Sequence, residues 1–149
     1  MRSAVRKFAV VAGVVAAGIV VAPAAHATTA AKPVPVCPGT ELHKEGLPKP
    51  LKNQLGEQAG TLRLWYSSAN GGTNCAKVTS DGNNPRSMSV SIRTETSATV
   101  TDSGPYSTYA GGVVLTGTNG HCIYLSGNLS LGNGTVNQFR ASAGPVACG

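Results

Sequence analysis

The sequence predicts an all-β domain, an antiparallel sandwich or barrel of short strands, and three observations carry that reading. Apolar and polar residues alternate in short runs, separated by Gly, Asn or Pro at intervals of about ten residues. No stretch sustains the apolar period of about 3.6 residues that a helix needs. Four cysteines stand far apart behind an export signal, which implies two disulfides holding a loop-rich fold.

The chain opens with residues 1–27, which read as a Sec-type signal peptide. "MRSAVRK" is basic, "FAVVAGVVAAGIVVAPA" is apolar, and "AHA" supplies small residues for cleavage after Ala27. The apolar run is about long enough for a membrane anchor, but Gly18, Pro23 and the small-residue exit favour cleavage, with no membrane association afterwards. Removal leaves 149 − 27 = 122 residues, one domain able to bury a core without a metal. Arg2, Arg6 and Lys7 leave with the leader, so Lys plus Arg falls from 12 to 9 and the net charge from +6 to +3. The remaining cations are spread from Lys32 to Arg140 without a dense stripe, which argues against nucleic acid as a partner.

Residues 28–60 are expected to form an irregular N-terminal arm. "TTAAKPVPV" stays extended until Cys37 pins it, and three prolines and four glycines in residues 38–60 exclude a long helix. A short turn in "PLKNQLGEQ" and a weak strand near Leu42 are the only order expected there.

Residues 61–149 form the expected disulfide-stapled β domain. "TLRLWYS" sets Leu62, Leu64 and Tyr66 on one face and Arg63 and Trp65 on the other. "CAKVTS" pairs Ala76 with Val78. "SMSVSIRTE" is the clearest strand, with Met88, Val90 and Ile92 inward and Ser87, Ser89, Ser91 and Arg93 towards water. "SATVTD", "GGVVLTG", "HCIYLSG", "LSLGN" and "GTVNQFRAS" follow as further segments. Asn128 and Asn133 begin glycosylation sequons but are read as ordinary turn residues, because the Ala-, Val- and Gly-heavy leader looks bacterial.

The cysteines, Cys37, Cys75, Cys122 and Cys148, are 38, 47 and 26 positions apart, unlike the close ligand pairs of zinc sites. His121 beside Cys122 does not repair that spacing, so no metal or other cofactor is expected. Of three possible connectivities, Cys37–Cys75 with Cys122–Cys148 is favoured, because it ties each end of the domain to the nearest cysteine-bearing strand.

One triplet resembles catalysis. Asp102-Ser103-Gly104 after β-branched residues matches the local pattern that carries the catalytic acid of aspartic proteases. Such chemistry needs two carboxylates sharing one proton, here from two copies of the chain. Pro105 and Tyr106 follow where that pattern wants a small residue, and "VVLTG" breaks the later apolar motif, so the triplet reads as a turn. A Ser-His-Asp hydrolase lacks a Gly-x-Ser-x-Gly elbow, and beyond the leader only His43 and His121 remain. No catalytic residue is assigned. Aromatic residues point to binding instead. Trp65 with Arg63, and Tyr106 and Tyr109 beside the triplet, either form an exposed stacking surface or fill the second face of a sandwich.

The segments "TLRLWYSSANGGTNCAKV", "VTDSGPYSTYAGGV", "GHCIYLSG" and the terminal "ACG" resemble the spore-associated protein A family of small secreted proteins from sporulating actinobacteria. The resemblance spans Thr61 to Gly149 and is most specific at Asp102-Ser103-Gly104, Tyr106 and Tyr109-Ala110-Gly111. It implies a secreted protein of the spore or cell surface and transfers no catalytic residue. Two departures are a longer, Lys- and Pro-rich arm and Gly112 where that family commonly carries Pro. The expectation is a secreted, non-enzymatic monomer that binds an anionic cell-wall or spore-surface polymer. The alternative is a small hydrolase of the aspartic-protease kind or a protease inhibitor presenting residues 70–74 or 104–109.

Overall fold

The computed structural model describes residues 33–149, so the expected signal peptide lies outside the described residues. The described residues form nine strands: β1 (Thr40–Glu41), β2 (Lys49–Lys52), β3 (Gln58–Ser67), β4 (Thr73–Ser80), β5 (Ser87–Thr94), β6 (Val100–Gly104), β7 (Tyr109–Thr116), β8 (Ile123–Ser130) and β9 (Gln138–Val146). Every pairing is antiparallel. The strand order β6-β5-β8-β9-β2-β3-β4-β7, with β1 added beside β3, curls into a nearly closed barrel.

The alternation read from the sequence places the core. Leu62 and Leu64 on β3, Ala76 and Val78 on β4, and Met88, Val90 and Ile92 on β5 are all buried in one cluster. Register brings them together: Leu62 faces Val78 and Leu64 faces Ala76 across β3–β4. Each buried Leu, Val, Ile or Met among them contributes roughly 1.5–3 kcal/mol by leaving water, and Ala76 less. Both expected disulfides, Cys37–Cys75 and Cys122–Cys148, are formed. Among the described residues no helix is long and apolar enough to cross a membrane.

Two expectations need correction. Much of residues 33–60 is irregular, and the weak strand near Leu42 is β1, but Lys49–Lys52 is a strand between β3 and β9. Its signal was short and broken by Pro50, yet Leu51 is fully buried and faces Gly60 on β3. β3 also begins at Gln58, three residues before the expected domain start. The second correction concerns "HCIYLSG" and "LSLGN", which form one continuous strand, β8. Gly127 between them is not a break. It points into the barrel, where a Cβ would collide with Val78 and crowd Leu62. Asn128 accordingly sits within β8 rather than in a turn.

Candidate functional site

The barrel is incomplete between β6 and β7, the two ends of the strand order, which share no ladder. Asp102 spans that gap. The triplet Asp102-Ser103-Gly104 lies in β6 and not in a turn, so the expected turn is corrected: the chain reverses after it, around Pro105 to Thr108. β-branched residues before the triplet extend the strand through it, and pairing with β5 (Val90 opposite Asp102, Ser89 opposite Ser103) holds it there.

Asp102 points inward and is 8% exposed. Its Oδ2 accepts the Gly111 N–H of β7 at 2.7 Å, and its Oδ1 accepts the Tyr106 hydroxyl at 2.7 Å. Gly111 offers this donor because β7 bulges opposite Ala76 and Lys77, with Gly111 and Gly112 both at positive φ. A side chain on Gly111 would strike Val90 and the Ala76 carbonyl oxygen. The carboxylate therefore replaces a ladder hydrogen bond at the barrel seam, as a charge-assisted one. The same bond, together with burial and the charge of Asp102, raises the ionisation of Tyr106 above its ordinary value. No second carboxylate is hydrogen-bonded or ion-paired to Asp102 among the described residues.

The aromatic residues singled out from the sequence divide between two places. Tyr106 and Tyr109 line an open cleft of about 410 Å³ beside the seam, together with Pro33, Val34, Pro35 and Pro105. Tyr109 is 39% exposed, and Lys77 Nζ stands 4.4 Å from its ring centre. That ammonium also donates to the Pro35 carbonyl oxygen, and burial lowers its ionisation. The segment leading to Cys37 thus crosses this side of the barrel, and Val34 N–H donates to the Gly112 carbonyl oxygen. A Cβ on Gly112 would run into the Val34 backbone. Trp65 and Arg63 lie on the outward face of β3, and neither lines the cleft. Trp65 is half-buried opposite Cys75 and Glu41, and Arg63 is held by Glu41 at 2.7 Å. Arg63, Lys77 and part of the aromatic surface are therefore engaged by the protein's own chain.

The other side of the barrel was not singled out as a site. The outward positions of β5, β6, β8 and β9 are Ser87, Ser89, Ser91 and Arg93; Thr101 and Ser103; Tyr124, Ser126, Asn128 and Ser130; and Gln138, Arg140 and Ser142. β2 adds Lys52. Among the described residues, three cations and many hydroxyls share this face, and no carboxylate does. Asp102 points inward, Glu41 is bound to Arg63 on the opposite side, and Glu45, Glu57, Asp81 and Glu95 occupy connecting segments. A groove of about 440 Å³ runs over it between Arg93 and Ser142. Within it the Arg93 guanidinium lies 4.5 Å from the Tyr124 ring centre, and a Cβ on Gly144 would strike the edge of that ring. Tyr124 therefore positions Arg93 more than it offers a free ring for stacking. The sequence signal was present in the outward serines of β5; what it lacked was the register joining four other strands to them.

No family model, curated protein or solved structure matches the chain.

The chemistry of the two sides differs accordingly. The seam cleft has aromatic and proline walls around an Asp whose two oxygens already accept structural donors. The serine-rich face offers hydrogen-bond donors and uncancelled positive charge to an extended ligand.

Proposed function

We propose that this is an exported, non-enzymatic surface protein that binds an anionic polymer of the cell wall or spore surface. The acid-free face of β6, β5, β8, β9 and β2 is the binding surface. One observation carries the reading: Arg93, Arg140 and Lys52 share a hydroxyl-covered sheet from which all six acidic residues are absent. Such a surface attracts polyanions over a distance set by ionic strength, while the serine, asparagine and glutamine groups bond to sugar or polyol hydroxyls. Two disulfides suit an oxidising, extracellular setting. The resemblance to spore-associated proteins adds the biological location. This reading moves the surface away from Trp65, Arg63, Tyr106 and Tyr109, because that side is crossed by residues 33–37 and its cations are engaged.

The test is retention on purified cell wall and on spore coats at about 0.01 M and about 1 M salt, where the Debye length is ~30 Å and ~3 Å. Retention at low salt should be lost at high salt, and should fall several-fold in Arg93→Gln/Arg140→Gln. Absence of retention at both salt levels removes the proposal.

A further inference from the structure

We infer that the junction of β2 and β9 is a binding site for a phosphate or phosphodiester group, held between Lys52 and Arg140. This names the anionic group recognised on the face proposed above, and rests on that reading only for its biological setting. β2 and β9 are joined by a single bridge pair, and that pair sets Lys52 directly opposite Arg140. Side chains so placed have Cβ atoms about 4.5–5.5 Å apart, and like charges there repel. Both side chains are exposed, and neither has a carboxylate within ion-pairing distance among the described residues. The acid nearest Lys52 in the chain, Glu57, accepts a hydrogen bond from Asn53 Nδ2 at 2.7 Å. An arrangement that raises the energy of the free protein is relieved by an anion between the two cations.

The surroundings fit such an anion. An open depression of about 270 Å³ is lined by Lys52, Asn53, Gln54, Thr135, Gln138 and Arg140, none of them acidic. The side chains of Lys52, Gln54, Thr135 and Arg140 keep donors free for an anion, while the amides of Asn53 and Gln138 are already bonded within the walls. Its walls are held in place. Asn53 is 8% exposed, its Oδ1 accepts the Leu55 and Glu57 N–H groups, and its Nδ2 donates to the Val136 carbonyl oxygen across the depression. Gln138 Nε2 is tied to Ser130 Oγ and the Gly132 carbonyl oxygen. The guanidinium fork of Arg140 matches two oxygens of a phosphate, and the Lys52 ammonium serves as a point charge for a third. A phosphate occupies a small part of the depression, leaving room for the polymer on either side of a phosphodiester.

The test uses the purified protein titrated with inorganic phosphate against chloride at matched ionic strength, following thermal unfolding and the amide NMR shifts of Thr135 and Gln138. Saturable shifts and an unfolding temperature that rises with site occupancy are expected. Lys52→Gln and Arg140→Gln should each unfold at a higher temperature than the parent in chloride, since each removes the repulsion. Each should also weaken phosphate binding at least tenfold. A rise that never saturates and is equal in parent and variants is the general exclusion effect of phosphate salts, and overturns the site. Poly(glycerol phosphate) should displace inorganic phosphate more effectively than polygalacturonate at equal charge; equal displacement overturns the assignment to phosphate. Saturable phosphate binding without retention on cell wall leaves this site standing and removes the polymer proposal. Retention on cell wall with unmoved Thr135 and Gln138 amides does the reverse.

Discussion

Replacing Asp102 by Ala separates a seam held by a side chain from one held by packing alone. The substitution leaves the Gly111 N–H, on a buried residue, without its acceptor at 2.7 Å. An unsatisfied buried donor costs about 1–3 kcal/mol, and hydrogen bonds to charged groups are worth about 1.5–3 kcal/mol each. These overlap, since the first is part of losing the second, and the half-buried Tyr106 hydroxyl recovers water. The expected loss is therefore about 2–4 kcal/mol, a large share of a typical stability of about 5–15 kcal/mol. Asp102→Asn keeps an acceptor for Gly111 and offers its amide to the Tyr106 oxygen. It loses only the charge assistance, about 1 kcal/mol. Urea unfolding with the disulfides intact measures both. At a slope of about 1.5 kcal/mol per molar, Asp102→Ala should lower the midpoint by about 2 M and Asp102→Asn by less than half that. An Asp exposed at a turn would give changes within about 0.5 kcal/mol. A midpoint shift that small for Asp102→Ala, with an unchanged slope, refutes the seam argument.

Tyr106 makes the same contact sensitive to alkali. Its ionisation is raised above 10.0, first because its hydroxyl donates to Asp102, then by burial and by the charge of Asp102. A group whose folded value exceeds its unfolded one stabilises the fold fully below the unfolded value, and that stability is lost as pH rises through the folded value. Urea midpoints should therefore fall above about pH 10 more steeply in the parent than in Tyr106→Phe; parallel curves contradict the assignment. Gly127→Ala should lose about 1–3 kcal/mol in the same assay, because its Cβ would collide with Val78 and crowd Leu62 in the barrel. A neutral result would mean that the core yields there.

Much of the fold was legible because burial follows a two-residue period. The inward Met88, Val90 and Ile92 and the outward serines of β5 could be read from the chain alone, as could both disulfides. β2 was hidden because four residues with a proline carry little periodicity, and their pairing with Gly60 to Leu62 is a tertiary fact. Gly127 misled for a different reason: glycine marks a break when the backbone must turn, but also marks a place where neighbours leave no volume for a side chain. Asp102-Ser103-Gly104 looked like a turn because these residues favour turns, whereas pairing with β5 and a buried N–H on β7 determine its conformation. The site was legible residue by residue but not as a surface. Arg93, Arg140 and Lys52 come from three strands distant in sequence, and only register puts them on one side of the barrel.

The two cystines enclose residues 37–75 and 122–148, so the span from Ala76 to His121 belongs to neither covalent loop. That span contains β5, β6 and β7, including the strand ends that Asp102 bridges. Oxidation therefore shortens the wandering of both termini in the denatured chain while leaving the middle of the polypeptide free to breathe. Amide protons of β6 and β7 should exchange with solvent sooner than those of β3 or β8, with the slit beside Gly111 as the place where the molecule first comes ajar.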